Sequence, residues 1–261
     1  MLIYTSAVTL IYSLFLTFII GICAGSFLNC AAMRISRGES FIKGRSRCIS
    51  CGHELGILDL FPLFSWLLLG GKCRYCGKKI SARYPVTELC FGIISVITVL
   101  TCDISFIALR NWLFFCILFL LSLVDLEIYE IPDGCHIASI IIWVCFMPFY
   151  ESLKQEALSG LIAAVVFGGV LLGISLLMDR LLEKESMGGG DIKLTAVCAL
   201  YLGLLRSLFS VILACVIGLV MGTVLKKDSE RHFAFGPSIA LSTFIMLLWG
   251  NTFTDWYLGL F

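Results

Sequence analysis

The chain has 261 residues, 59% hydrophobic and only 14% charged, with a mean hydropathy of +1.00. Soluble domains run at roughly 45–50% apolar and about 25% charged, so this balance excludes a freely soluble protein and implies an integral membrane protein. The formal net charge of +1 carries no nucleic-acid signature, because membrane orientation accounts for the basic residues.

A spanning helix needs about 20 apolar residues. Such stretches recur near 5–30, 86–102, 105–125, 134–150, 157–179, 191–205, 207–225 and 233–249. The chain therefore reads as an all-α polytopic membrane protein with about eight transmembrane helices. The first stretch lacks a small-residue cleavage site after a short apolar core, so it reads as a retained helix. Gly21-x3-Gly25 and Gly218-x3-Gly222 are small-residue spacings that permit close helix contact in lipid. The sixth stretch is short, and its separation from the seventh falls at Gly203–Arg206.

Charge placement sets the orientation. With the N-terminus outside, the inner side holds ten Lys/Arg between Arg34 and Arg83, plus Arg180, Lys184, Lys193, Lys226, Lys227 and Arg231. Only Arg110, Lys154 and Arg206 are left outside. Basic residues are retained on the cytoplasmic side, so this topology is favoured, and it brings Asp125 and Asp191 to the same inner face.

The first stretch ends near residue 33, and a polar segment over 34–85 precedes the helical remainder, 86–261. Within it lie Cys48-Ile-Ser-Cys51 and Cys73-Arg-Tyr-Cys76. Paired Cys-x2-Cys knuckles at this separation suit one tetrahedral metal, and thiolates favour zinc. The alternatives are two disulfides or four free thiols; a cytosolic location argues against stable disulfides. Four thiolates close the coordination shell, which makes the zinc structural. Gly52 and Gly77 follow the knuckles, where the chain must turn sharply. His53 is a surface residue or a substitute ligand. The apolar run Leu60 to Leu69 is either the core of this small domain or a surface lying on the membrane. The nine other cysteines read as packing residues.

Two carboxylates mark the ends of apolar stretches. Asp125 closes the third, followed by Glu127, Glu130, Pro132 and Asp133; Asp191 opens the sixth, after Met187-Gly188-Gly189-Gly190. An ionisable residue at the edge of hydrocarbon is costly and points to function, although each Asp alone reads equally as an interfacial cap. Pro132 is suited to start the next helix. The three glycines permit positive φ and close approach. No Gly-Lys-Ser/Thr follows them, so a nucleotide loop is disfavoured. Two neighbouring carboxylates share a proton; the ionised one activates water while the protonated one polarises a carbonyl. That chemistry is peptide hydrolysis without a catalytic metal. No Gly-x-Ser-x-Gly or His-Glu-x2-His competes, and His53, His136 and His232 form no ligand set. Asp179, beside Arg180, reads as a paired interfacial residue. The rival from another class is a secondary transporter, which would hold its charges near the midplane.

In order along nearly the whole chain, these segments resemble the type IV prepilin leader peptidases, intramembrane aspartyl proteases with a Gly-x-Gly-Asp motif. The resemblance rests on Gly25-Ser26-Phe27-Leu28-Asn29, the cysteine knuckles, Pro62 to Leu67 and Arg83 to Leu89. It continues through Asp125 with Pro132-Asp133, Gly188 to Leu194 (Lys193 included) and Phe235-Gly236-Pro237. It implies catalysis by Asp125 and Asp191, with Gly188, Gly189, Gly190 and Lys193 supporting them. The implied substrates are type IV prepilins or pseudopilins, cut at the cytoplasmic face of the bacterial inner membrane. Members with the cysteine domain also methylate the new N-terminus with S-adenosylmethionine, so a bifunctional enzyme is implied, with a peptidase lacking methyl transfer as the variant reading. Glu88 and the Gly25–Asn29 segment are the candidates for the methyl-donor site. Cys30-Ala31-Ala32 and Ala234 depart from the family pattern, away from the proposed pair.

Overall fold

The computed structural model describes residues 7–42, 44–149, 153–183, 187–224 and 234–260. Lys43, Lys184, Lys226, Lys227, Arg231 and His232 lie outside the described residues. Every regular element among them is helical, apart from two isolated antiparallel bridges. The chain forms two compact units, Met1–Ile104 and Ser105–Phe261.

In the first unit, α1 (Ala7–Ile35) packs along α3 (Arg83–Cys102). Small residues set this contact. A Cβ on Gly92 would stand 2.7 Å from Ile22 Cγ2, and one on Gly25 would stand 3.0 Å from Phe91 Cβ. Gly21 likewise faces Ser95 on α3. The Gly21-x3-Gly25 spacing therefore works as close helix packing, which in lipid must come from van der Waals contact. Between these helices lie a 3-10 turn at Ile57–Asp59 and the short α2 (Phe64–Leu68).

The second unit holds α4 (Phe106–Ile128), α5 (Asp133–Phe146), α6 (Leu153–Leu182), α7 (Gly189–Leu202), α8 (Leu204–Val224) and α9 (Gly236–Leu258). The Ser105 side chain caps α4 by accepting from the Ala108 amide at 3.0 Å, satisfying an otherwise orphan donor. At its other end Tyr129 turns left-handed (φ 57°) and donates its amide to the Asp125 carbonyl at 2.9 Å. Pro132 caps α5 rather than occupying its first helical position.

Helix α7 is the buried centre of this unit and packs against α5, α6, α8 and α9. Leu194, Cys198, Ala199 and Leu202 are almost fully buried. Trp143 of α5 donates its indole N–H to the Leu200 carbonyl at 2.9 Å, pinning α7 from a second side. Gly203, at φ +71°, joins α7 to α8 without a loop, a conformation that costs glycine little. The break between the sixth and seventh apolar stretches thus falls at Gly203.

A helix falls within each of the eight apolar stretches, over the described residues. Among the described residues, five are long and apolar enough to cross a membrane: α1, α3, α4, α6 and α8. Helices α5 and α7 have 14 residues each, short of the roughly 20 a full crossing needs. Ser238, Ser242, Thr243 and Asn251 dilute the apolar character of α9.

Candidate active site and metal centre

The candidate metal centre is built from two copies of one turn. Cys48 donates its amide to the His53 carbonyl and accepts the Gly52 amide; Cys73 does the same with Lys78 and Gly77. All four distances fall between 2.8 and 2.9 Å. Gly52 and Gly77 take φ +71° and +70°, which explains a glycine after each knuckle. The bridges Arg47–Glu54 and Lys72–Lys79 close the two turns at matching positions. The thiol sulfurs of Cys48, Cys51, Cys73 and Cys76 all lie within 4.8 Å of one another, with Cys48 and Cys76 at 3.9 Å. Tetrahedral zinc with Zn–S near 2.3 Å sets its sulfurs about 3.8 Å apart, so the four thiols fit that ion. Amide donors from Cys51 and Ser50 lower the Cys48 thiol to about 6, while desolvation and the neighbouring thiols push Cys76 up to about 11, so the four thiols titrate as a set. All four are unbonded thiols rather than disulfides. His53 instead lies against the Tyr75 ring, with centroids 3.6 Å apart.

Residues inside the second knuckle tie down the stretch between the knuckles. Asp59 accepts from Arg74 at 2.7 Å, from Tyr75 at 3.1 Å and from the Gly56 amide at 3.1 Å. The hydrogen bond from Arg74 leads the effects that hold the Asp59 carboxyl below its ordinary range. Glu88, buried on α3, accepts the Leu63 amide at 2.7 Å. Leu63 sits at φ 60°, a region that costs a side-chain-bearing residue about 1–3 kcal/mol and persists only where its surroundings impose it. The buried carboxylate of Glu88 supplies that constraint.

In the second unit, Asp125 in the last turn of α4 and Asp191 in the first turn of α7 line one cavity of about 840 Å³. Asp125 is buried, and its Oδ2 accepts the Gly236 amide at 2.9 Å at the N-terminus of α9. A buried carboxylate needs such a donor. Asp191 is half-buried at the N-terminus of α7, where the helix dipole favours negative charge. Asp179 does not line this cavity.

None of Gly188, Gly189 and Gly190 takes a positive φ, contrary to the expectation from the sequence. Gly188 is the extended cap of α7, and the other two are already helical. Their use is close approach: a Cβ on Gly190 would meet Ile131 Cβ at 3.2 Å, and one on Gly188 would meet Asp191 Oδ2 at 3.4 Å. Lys193 pairs with Asp133 at 2.8 Å, tying the start of α7 to the start of α5. Behind that pair, buried His136 lies 3.7 Å from Asp133, and neither of its ring nitrogens has a hydrogen-bond partner among the described residues.

Sequence reasoning missed the role of Gly236. The Phe235-Gly236-Pro237 motif was visible, but nothing in it shows that its amide reaches a carboxylate 111 residues away.

Two carboxylates lining one cavity of a multi-helix protein with membrane-capable helices, beside a tetrathiol cluster, are features of a polytopic membrane enzyme. The chain belongs to the type IV leader peptidase family. The model of the Type IV leader peptidase family matches residues 112–223, and that of the bacterial Peptidase A24 N-terminal domain matches residues 19–102. A prepilin leader peptidase/N-methyltransferase of Stutzerimonas stutzeri is 30% identical over 267 residues, covering 92% of each chain. The one from Aeromonas salmonicida is 32% identical over 221 residues, 82% of this chain and 75% of the relative. The one from Pseudomonas aeruginosa is 27% identical over 273 residues, 93% and 92%. No solved structure matches the chain.

Proposed function

We propose that the cavity lined by α4, α6, α7, α8 and α9 is the hydrolytic centre of a peptidase that removes the basic leader of type IV prepilins or pseudopilins. The observation that supports it most directly is that Asp125 and Asp191 line the same cavity. In this reading the two share one proton. The ionised carboxylate takes a proton from water as it attacks the scissile carbonyl, and the protonated one donates a hydrogen bond to the developing oxyanion. The Gly236 amide holds Asp125 in place, and the N-terminus of α7 steadies charge on Asp191. The pair stands at helix ends, which favours hydrolysis near a membrane face over a transporter's midplane ion site.

The wider reading has α1 and α3 to α9 as eight membrane helices, with the N-terminus outside and both carboxylates at the cytoplasmic face of the bacterial inner membrane. The excess of Lys/Arg in the segments then placed inside supports this orientation. Cys48, Cys51, Cys73 and Cys76 hold a structural zinc that organises residues 34–85. The same chain N-methylates the product, with S-adenosylmethionine supplying the methyl group. Glu88 then serves that site as a positioning residue, through the Pro62-Leu63 turn it fixes.

The test is cleavage of a prepilin peptide by purified protein in lipid, with and without S-adenosylmethionine. Asp125→Asn and Asp191→Asn are expected to insert normally and to lose leader removal entirely. Cleavage retained by both variants overturns the assignment of the pair. A product that gains no methyl mass removes the second activity and leaves the first.

A further inference from the structure

The inter-knuckle segment leaves more apolar surface uncovered than a solvated loop can carry. Ile57, Leu58 and Leu68 are 88%, 75% and 86% exposed, and Phe61, Phe64 and Leu67 are each about half exposed or more. The Asp59 and Glu88 contacts fix this face outward: Asp59 binds Arg74, Tyr75 and the Gly56 amide, and Glu88 binds the Leu63 amide. The segment is therefore a built surface, with its polar groups turned in and its apolar ones turned out.

Its depth follows from the Glu88 bond. Glu88 lies five positions into α3, counted from Arg83. At 1.5 Å per residue that is about 7.5 Å along a helix long enough to cross a bilayer. Interfacial elements bury their apolar faces roughly 5–10 Å into the boundary between headgroups and acyl chains. With the start of α3 at the membrane surface, the Leu63 amide is held within that depth range. Trp66, donating to the Ile80 carbonyl at 3.3 Å, and Tyr84 on the first turn of α3 are the residue types that gather there. Charge agrees. Between Leu55 and Thr87 the single acid is Asp59, engaged by Arg74, whereas Lys72, Lys78, Lys79 and Arg83 lie in the same stretch. Such an excess of basic residues in the sequence flanking an apolar face suits an anionic lipid surface.

We propose that Ile57–Leu68 is an interfacial anchor that seats the tetracysteine module on the anionic leaflet. The metal-bearing turns ride on the water side of this anchor. The inference stands apart from the peptidase assignment, since it uses only the first unit.

The test uses the full chain in vesicles of phosphatidylethanolamine and phosphatidylglycerol, with p-benzoylphenylalanine incorporated at Leu58 or at Leu68. Irradiation is expected to give covalent lipid adducts at both positions. Crosslinks to protein instead (a prepilin, a second copy, or another stretch of this chain), or no crosslink at all, overturn the proposal. Leu68→Trp provides an independent readout: brominated phosphatidylglycerol is expected to quench a larger fraction of its fluorescence than of the unsubstituted protein's. An unchanged fraction counts against the anchor whatever the crosslinker does. Cleavage activity is irrelevant to both measurements, so failure here and failure of the peptidase reading are separately visible.

Discussion

Gly236 is where one added methyl group disturbs the proposed hydrolytic pair most directly. Its Cβ would stand 2.7 Å from Asp125 Oδ2, closer than any carbon and oxygen rest without bonding, so either α9 or the carboxylate must move. Gly236→Ala is expected to lower the rate of leader removal at least about tenfold, since displacements near 1 Å at a reacting group cost up to about a hundredfold. Because α9 also lines the cavity through Phe235, Ile239 and Ser242, substrate KM is free to change as well, and steady-state cleavage kinetics would show how the loss divides. Asp59 invites a different test. Its carboxyl is held below the ordinary value of 3.8, chiefly by the hydrogen bond from Arg74. The stabilisation is therefore complete above that value and is lost as pH falls through the depressed one. Asp59→Asn should reproduce the acid state at neutral pH, at about 1 kcal/mol, since Arg74 is half-exposed. Faster limited proteolysis between Gly56 and Tyr75 would register it.

At the level of elements, the α1–α3 pair depends on glycine. Gly92→Val should separate the helices, because the new side chain would enter space held by Ile22 and Phe18. Thermal unfolding in detergent is expected to show a loss of about 1–3 kcal/mol, the usual range for overpacking. By contrast, Lys193→Gln should cost less than about 1 kcal/mol of stability, since both partners of the Asp133 pair are well exposed. The positions of the helices were legible in the sequence, because a run of Leu, Ile, Val and Phe is apolar whatever it packs against. Their partners were not. No local pattern says that the 86–102 segment lies along α1, or that α7 is enclosed while α6 leaves Val165 and Leu181 bare. The carboxylates were legible because charge at the edge of hydrocarbon is costly. The Gly236 amide was not, because a backbone N–H has no letter in the sequence. The glycine run before Asp191 misled on dihedral angle for a related reason: glycine marks either a special φ or a close neighbour, and only coordinates separate Ile131's proximity from a left-handed turn.

At the scale of the whole molecule, the metal centre and the carboxylate cavity belong to different compact units. With zinc on the four thiols, as proposed, its removal by a chelator is expected to abolish methyl transfer and expose residues 44–80 to protease, while leader cleavage stays within a few-fold of the untreated protein. Mass analysis of the pilin N-terminus beside a cleavage gel would check both outcomes on one sample. One consequence of the brevity of α7 concerns the bilayer itself. Fourteen residues span about 21 Å, against a hydrocarbon layer of about 30 Å. If α7 reaches the outer edge of that layer, Asp191, two residues inside its start, stops about 12 Å short of the inner one. The lipid there must dimple, or the protein must hold open a shallow well, for water to reach the acid. A peptide bond drawn down into such a well meets hydrolytic water without either leaving the membrane or crossing to its middle.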